Sequence, residues 1–218
     1  MNKTFEKSQN LKAYFMLVCA TLFWAGNFNV GKFAFIENIS PFTLAFLRWL
    51  IVWIILMPFT YKEILSLKKI IIKNFKLLFL LGLSSVFLFT ALTYKALNYT
   101  QVINASLFNT AIPATIILVC FLLKIEKTNI FQLSGLLIST LGILVIISKL
   151  NLDILLSLAF NTGDLFMIAA IISWGVYSAF LKKRNFEISL LALVQIICTF
   201  GLLMLAPAFL IEVNQANS

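Results

Sequence analysis

Histidine is missing from this sequence, and acidic side chains are scarce, at eight among 218 residues. Without histidine the commonest metal ligand and the usual neutral-pH proton shuttle are absent. All eight acids lie in loops or near helix ends, so no carboxylate pair is set for acid–base work. No Gly-x-Ser-x-Gly elbow and no Gly-x4-Gly-Lys-Ser/Thr phosphate loop occurs, which leaves no nucleophile elbow and no ATP site. The three cysteines (Cys19, Cys120, Cys198) are scattered through apolar runs, an odd set that makes neither a disulfide framework nor a metal cluster. Charge is short as well, at 11% of residues against ~25% in a soluble domain. These gaps argue against an enzyme, a cofactor and a metal centre.

What is abundant is apolar length. Hydrophobic residues make up 61% of the chain, and its mean hydropathy is +1.01. Stretches of roughly twenty mostly apolar residues fall at 13–35, 42–60, 75–96, 101–123, 130–148, 164–181 and 188–211. A bilayer core ~30 Å thick asks for about that many helical residues per crossing. Inside it every backbone polar group needs a partner within the segment, which a helix supplies. The expected fold is an all-α polytopic membrane protein with about seven crossings. The first stretch is too long for a signal-peptide core and reads as a retained helix. The leucines of 149–163 are expected to lie along the interface.

The net charge of +9 would raise nucleic-acid binding in a soluble chain, but here the basic residues sort by side. Thirteen lie at the N-terminus or in the 61–76, 124–127 and 182–184 connections. Lys32, Lys95 and Lys149 lie on the other side, and Arg48 lies within the second helix. The positive-inside rule then puts the N-terminus in the cytoplasm of a cell (inner) membrane and the C-terminus of this chain outside. That orientation and the missing lysine in 188–211 oppose a seven-helix receptor or a retinal protein. The partners implied are a lipid bilayer and a small solute, with no nucleic acid.

Ala20, Trp24 and Lys32 repeat 150 positions later as Ala170, Trp174 and Lys182. Five helices separate the two segments, so their orientations are inverted, a recurring construction in secondary transporters. Arg48 stands out most. Seven residues past Pro41, it lies roughly 10 Å along its helix at ~1.5 Å per residue. A mid-membrane Arg costs about 2.5–3.5 kcal/mol on insertion scales, so it faces a cavity or binds neighbouring helices. Asn27 and Asn29 lie at similar depth between Gly26 and Gly31. Gln101, Asn104 and Asn109 share an arc of about 140° on the fourth helix. Pro113 has no N–H to return to the Asn109 carbonyl, so a kink is expected there. Asn27, Asn29, Arg48, Asn104 and Asn109 are therefore expected to bind substrate in a polar cavity open to the outer side. Trp24, Gly26, Gly135, Gly142 and Trp174 are expected to pack helices within the chain or between protomers. Tyr94, Lys95 and Tyr99 read as interface anchors.

The run Trp24-Ala25-Gly26-Asn27 to Lys32, then Pro41 and Arg48, resembles the opening of an EamA-type member of the drug/metabolite transporter superfamily. Tyr94 to Leu97 with Tyr99, Pro113, and Glu126 before the Gly135 and Gly142 helix continue the likeness. Gly163-Asp164, Trp174 and Tyr177 resemble the start of that family's second domain. The resemblance implies two inverted five-helix repeats around a central cavity. It also implies secondary transport, without ATP, of a small metabolite, amino acid or drug-like solute. On that plan 13–148 is a complete first repeat and 163–211 the first two helices of a second. The expectations that follow are a C-terminally truncated product or a remainder supplied by another chain, as a homodimer or complementing subunit. The alternative is a non-transporting remnant or membrane partner.

Overall fold

The computed structural model describes residues 3–126, 129–148 and 161–216. Among these the chain is helical and contains no strand. The helices are α1 (Lys3–Ile36), α2 (Pro41–Ser66), α3 (Lys68–Lys73), α4 (Phe75–Gly82), α5 (Thr90–Leu97), α6 (Val102–Asn109), α7 (Ile112–Leu122), α8 (Ile130–Ser148), α9 (Thr162–Lys182) and α10 (Leu190–Ala216). A π-helical stretch, Leu83–Phe89, joins α4 to α5, so Phe75–Leu97 forms a single span. Local chemistry sets several of the ends. Asn38 takes a left-handed turn (φ 58°) to close α1, a conformation Asn tolerates. Pro41 then opens α2 from an extended Ser40. Asn161 and Asp164 form a reciprocal capping box at the start of α9.

Among the described residues five helices are long and apolar enough to cross a membrane, and six crossings result when α6 and α7, bent by 43°, count as one. The all-α polytopic membrane fold expected from sequence is present, and five to six of about seven expected crossings are found among the described residues. The stretch 130–148 is the 19-residue helix α8 and lies outside that count. Of the linker expected along the interface, 149–160 falls outside the described residues.

Directions alternate as a membrane bundle requires. At one end Lys32 of α1 reaches carbonyls after α5, and Thr43 at the start of α2 donates to Glu212 of α10. At the other end Glu63 of α2 accepts from Ser189, just before α10. There, too, Lys182 pairs with Glu126 beyond α7 at 2.8 Å. α1 and α9 therefore run in opposite directions.

The centre of the bundle is the Phe75–Leu97 span, whose Leu78, Leu81, Val86 and Leu97 meet Met167 of α9 and Leu193, Ile197 and Leu205 of α10. α10 packs most extensively on α2, and α9 on α7 and α5. In lipid, such contacts rest on close fit rather than on leaving water. Gly82 and Gly201 provide it reciprocally between α4 and α10. A Cβ on Gly82 would lie 2.8 Å from Phe200, and one on Gly201 would run into Val86 of the adjoining π-helical stretch. α1 and α8 are peripheral, with α1 touching α2, α5 and α6 lightly.

Candidate functional site

Three helices meet around Arg48. Its Nη1 donates to Asn27 Oδ1 of α1 at 2.5 Å and to the Tyr94 hydroxyl of α5 at 2.7 Å. That hydroxyl in turn donates to Asn27 Oδ1 at 2.7 Å, closing a triangle. The guanidinium carbon also lies 4.9 Å from the Trp49 ring and 5.7 Å from the Tyr94 ring. Charge-assisted hydrogen bonds and ring faces offset the cost of placing this cation in the membrane. Tyr94 is only 2% exposed, so the interface-anchor reading is corrected: it is a buried strut for Arg48. Its place in an apolar run, rather than beyond one, was the available signal. Tyr99, by contrast, is exposed and packs near Phe166.

Asn29 does not join this group. It lies on an exposed part of α1, about 200° round the helix from Asn27 at ~100° per residue, and bonds back to the Ala25 carbonyl.

A second constellation surrounds the bend. α6 ends at Asn109, two tight i→i−3 bonds carry the chain over Thr110 and Ala111, and α7 restarts with Pro113 in its first turn. The expected kink is present, and it turns the axis by 43°. A cavity of about 450 Å³ opens between this break and α1, lined by Trp24, Ala25, Phe28, Ser106, Asn109 and Pro113 among others. The nearby hydroxyls of Thr21, Ser106 and Thr110 all bond to carbonyls of their own helices. Asn109 Oδ1 is buried with no partner. It is an acceptor left in a mostly apolar cavity.

Asn104 faces neither constellation. It lines a polar recess of about 440 Å³ at the Lys32 end of the bundle, with Asn98, Gln101 and Asn161. The structure thus brings Asn27 to Arg48, and sets Asn109 and Asn104 at two separate openings.

Trp24 and Trp174, the residues paired by the sequence echo, touch each other with ring centroids 5.8 Å apart. Trp174 also packs on Phe89 at 4.6 Å and Tyr177 at 5.0 Å. A Cβ at Gly26, Gly135 or Gly142 would meet nothing within 4 Å, so the seams expected there have no partner among the described residues. Close approach falls instead at Gly31, Gly82, Gly163, Gly175 and Gly201. Among the described residues no three His, Cys, Asp or Glu side chains gather to hold a metal.

Residues 11–148 match the EamA-like transporter family. The chain belongs to that family. An uncharacterized transporter of Archaeoglobus fulgidus is 32% identical over 91% of this chain and 67% of its own length. The uncharacterized transporters YyaM and YetK of Bacillus subtilis are 28% and 25% identical, over 78% and 94% of this chain. The EamA chain described here spans 55% of YyaM and 62% of YetK. No solved structure matches it.

Proposed function

We propose that this chain takes part in secondary transport, without ATP, of a small metabolite, amino acid or drug-like solute. The path runs between α1 and the broken α6–α7 span. The observation that carries this reading is the orphaned Asn109 Oδ1 beside the break. Irregular backbone at membrane depth is tolerated where protein or a water-filled cavity satisfies it, and such breaks mark solute sites in transporters. On this reading Asn109 accepts a hydrogen bond from the solute, and Asn104 meets it nearer the mouth. Arg48 and Asn27 hold α1 against α2 and α5 and present a fixed positive charge to the route, with Asn29 at its lipid-side margin. The two repeats, 13–148 and 163–211, are related by inversion. The antiparallel α1 and α9, meeting at Trp24 and Trp174, support that relation. The lysine distribution supports a cytoplasmic Lys182 end.

The test is uptake of a radiolabelled panel of amino acids and small metabolites by proteoliposomes under an imposed ion gradient. Uptake above that of empty liposomes is expected, with Asn109→Ala lowering it at least tenfold while the thermal midpoint holds. Uptake that Asn109→Ala leaves unchanged overturns the reading.

A second reading rests on the outward face of α1, where Phe23, Val30 and Phe33 are exposed. There the chain is a subunit that seats a complementing chain or a second copy. Crosslinks from Phe23→Cys to another chain in native membranes support it, and crosslinks to lipid alone dismiss it.

A further inference from the structure

The recess at the Lys32 end is built from three separate parts of the chain: the end of α1, the stretch from the turn after α5 into the start of α6, and the residue capping α9. Its volume of about 440 Å³ is in the range of small-molecule pockets, about 300–1,000 Å³. What distinguishes it is an excess of hydrogen-bond donors. An ammonium carries three hydrogens, and Lys32 commits two of them, to the carbonyls of Leu97 at 2.8 Å and Thr100 at 3.1 Å. One remains. Thr100 is among the lining residues; it is only 5% exposed, and its hydroxyl is buried in the wall of the recess with no partner. A buried polar group without a partner is uncommon and marks an absent water, ion or ligand. Among the described residues the carboxamides of Gln101 and Asn104 also make no side-chain hydrogen bond.

The charge decides what fits. Among the described residues lining the recess, Lys32 carries the only formal charge. Asp164 is engaged behind them, accepting from the Asn161 N–H in the cap of α9. A carboxylate offers about four acceptor positions on two oxygens. The remaining Lys32 hydrogen, two carboxamides and, once its side chain turns toward the recess, the Thr100 hydroxyl match that number. We propose that this recess is a recognition site for the carboxylate of a small organic acid. The solute meets it at the Lys32 end of the bundle before reaching the Asn109 cavity. That order of events rests on the transport reading; the binding itself does not.

The test uses the full chain in phosphatidylcholine nanodiscs, with calorimetric titration of succinate and of its neutral counterpart, succinamide. Succinate is expected to bind at least tenfold more tightly. Thr100→Val is expected to weaken succinate binding about tenfold and Gln101→Leu about threefold. Lys32→Gln is expected to abolish binding; because it also releases two carbonyls it can unfold the chain, and the first two variants then carry the test. Equal binding of the two probes, or succinate binding indifferent to both Thr100→Val and Gln101→Leu, overturns the proposal. Loss of succinate binding in phosphatidylglycerol nanodiscs assigns the site to a lipid phosphate and overturns it too. Binding without uptake in proteoliposomes sinks the transport reading and leaves this site standing. Uptake without binding does the reverse.

Discussion

α1 and α9 carry the same landmark 150 positions apart, yet one lies almost bare and the other is packed. Only 6% of the membrane window of α1 is buried, against 39% of that of α9. Both are apolar enough to cross a membrane, so hydropathy does not separate them. Lipid tails are as apolar as leucine, and a helix gains little by exchanging one for the other. Fit separates them. α9 brings Gly163 against the Ala96 carbonyl and Gly175 against Thr115, each within 2.9 Å of a would-be Cβ. α1 makes one such approach, Gly31 on Leu97 and Tyr94, and its other interior glycine faces open space. The span is written in the composition of a segment; its burial is written in where its small residues meet a neighbour.

The largest test of this contrast is the tryptophan pair. Trp174 packs on three rings, whereas Trp24 has a single ring partner and is 38% exposed. Trp174 is partly buried, so Trp174→Ala should cost about 2 kcal/mol, below the usual scale for a fully buried aromatic. Trp24→Ala should cost about 1 kcal/mol, since it removes less buried contact. Equilibrium unfolding in mixed micelles measures both. Equal losses would mean that α1 packs as closely as α9, and the comparison would fail.

The second echoed pair separates a buried task from an exposed one. Lys32 binds two backbone carbonyls, and losing both bonds in Lys32→Gln should cost about 1–3 kcal/mol. Lys182 is paired with Glu126, but the two side chains are 48% and 51% exposed. Lys182→Gln should therefore cost about 0–1 kcal/mol, and less still in high salt. A larger loss at Lys182 than at Lys32, by the same unfolding measurement, would reverse the order and show the Glu126 end to be the tighter one.

Most of the bundle could be read from residue runs, because each span needs only about twenty apolar residues in sequence. The break was legible for a local reason as well: Pro113 lacks an N–H whatever surrounds it. Elements set by tertiary contact were not. Nothing in Leu83–Phe89 marks a π-helical stretch, which lies where Val86 rests on Gly201, over a hundred residues away. Asn27 and Asn29 look alike in sequence, and the ~100° step of a helix sends them to different faces. Tyr94 looked like an anchor because tyrosines at span ends commonly are; its hydroxyl instead meets an arginine from another helix. Thr100 carried no signal, since its importance comes from a buried hydroxyl beside a recess to which distant α1 and α9 contribute. The polar residues were easy to find. Which of them share a site depends on helix rotation and on neighbours.

The smallest effect is expected at Gly26, and it bears most directly on what α1 faces. A Cβ there meets nothing within 4 Å, so alanine brings no clash. In a helix interior, alanine is favoured over glycine by up to about 1 kcal/mol. Gly26→Ala should therefore leave the unfolding free energy of this chain unchanged or raise it by about 0.5 kcal/mol. A loss of stability in purified material would show a contact on α1 that the described residues do not supply. If stability holds and a crosslinked larger species in native membranes is weakened, the glycine packs against another chain. α1 would then be bare only in isolation, and its contrast with α9 would reflect a missing neighbour rather than a different kind of helix.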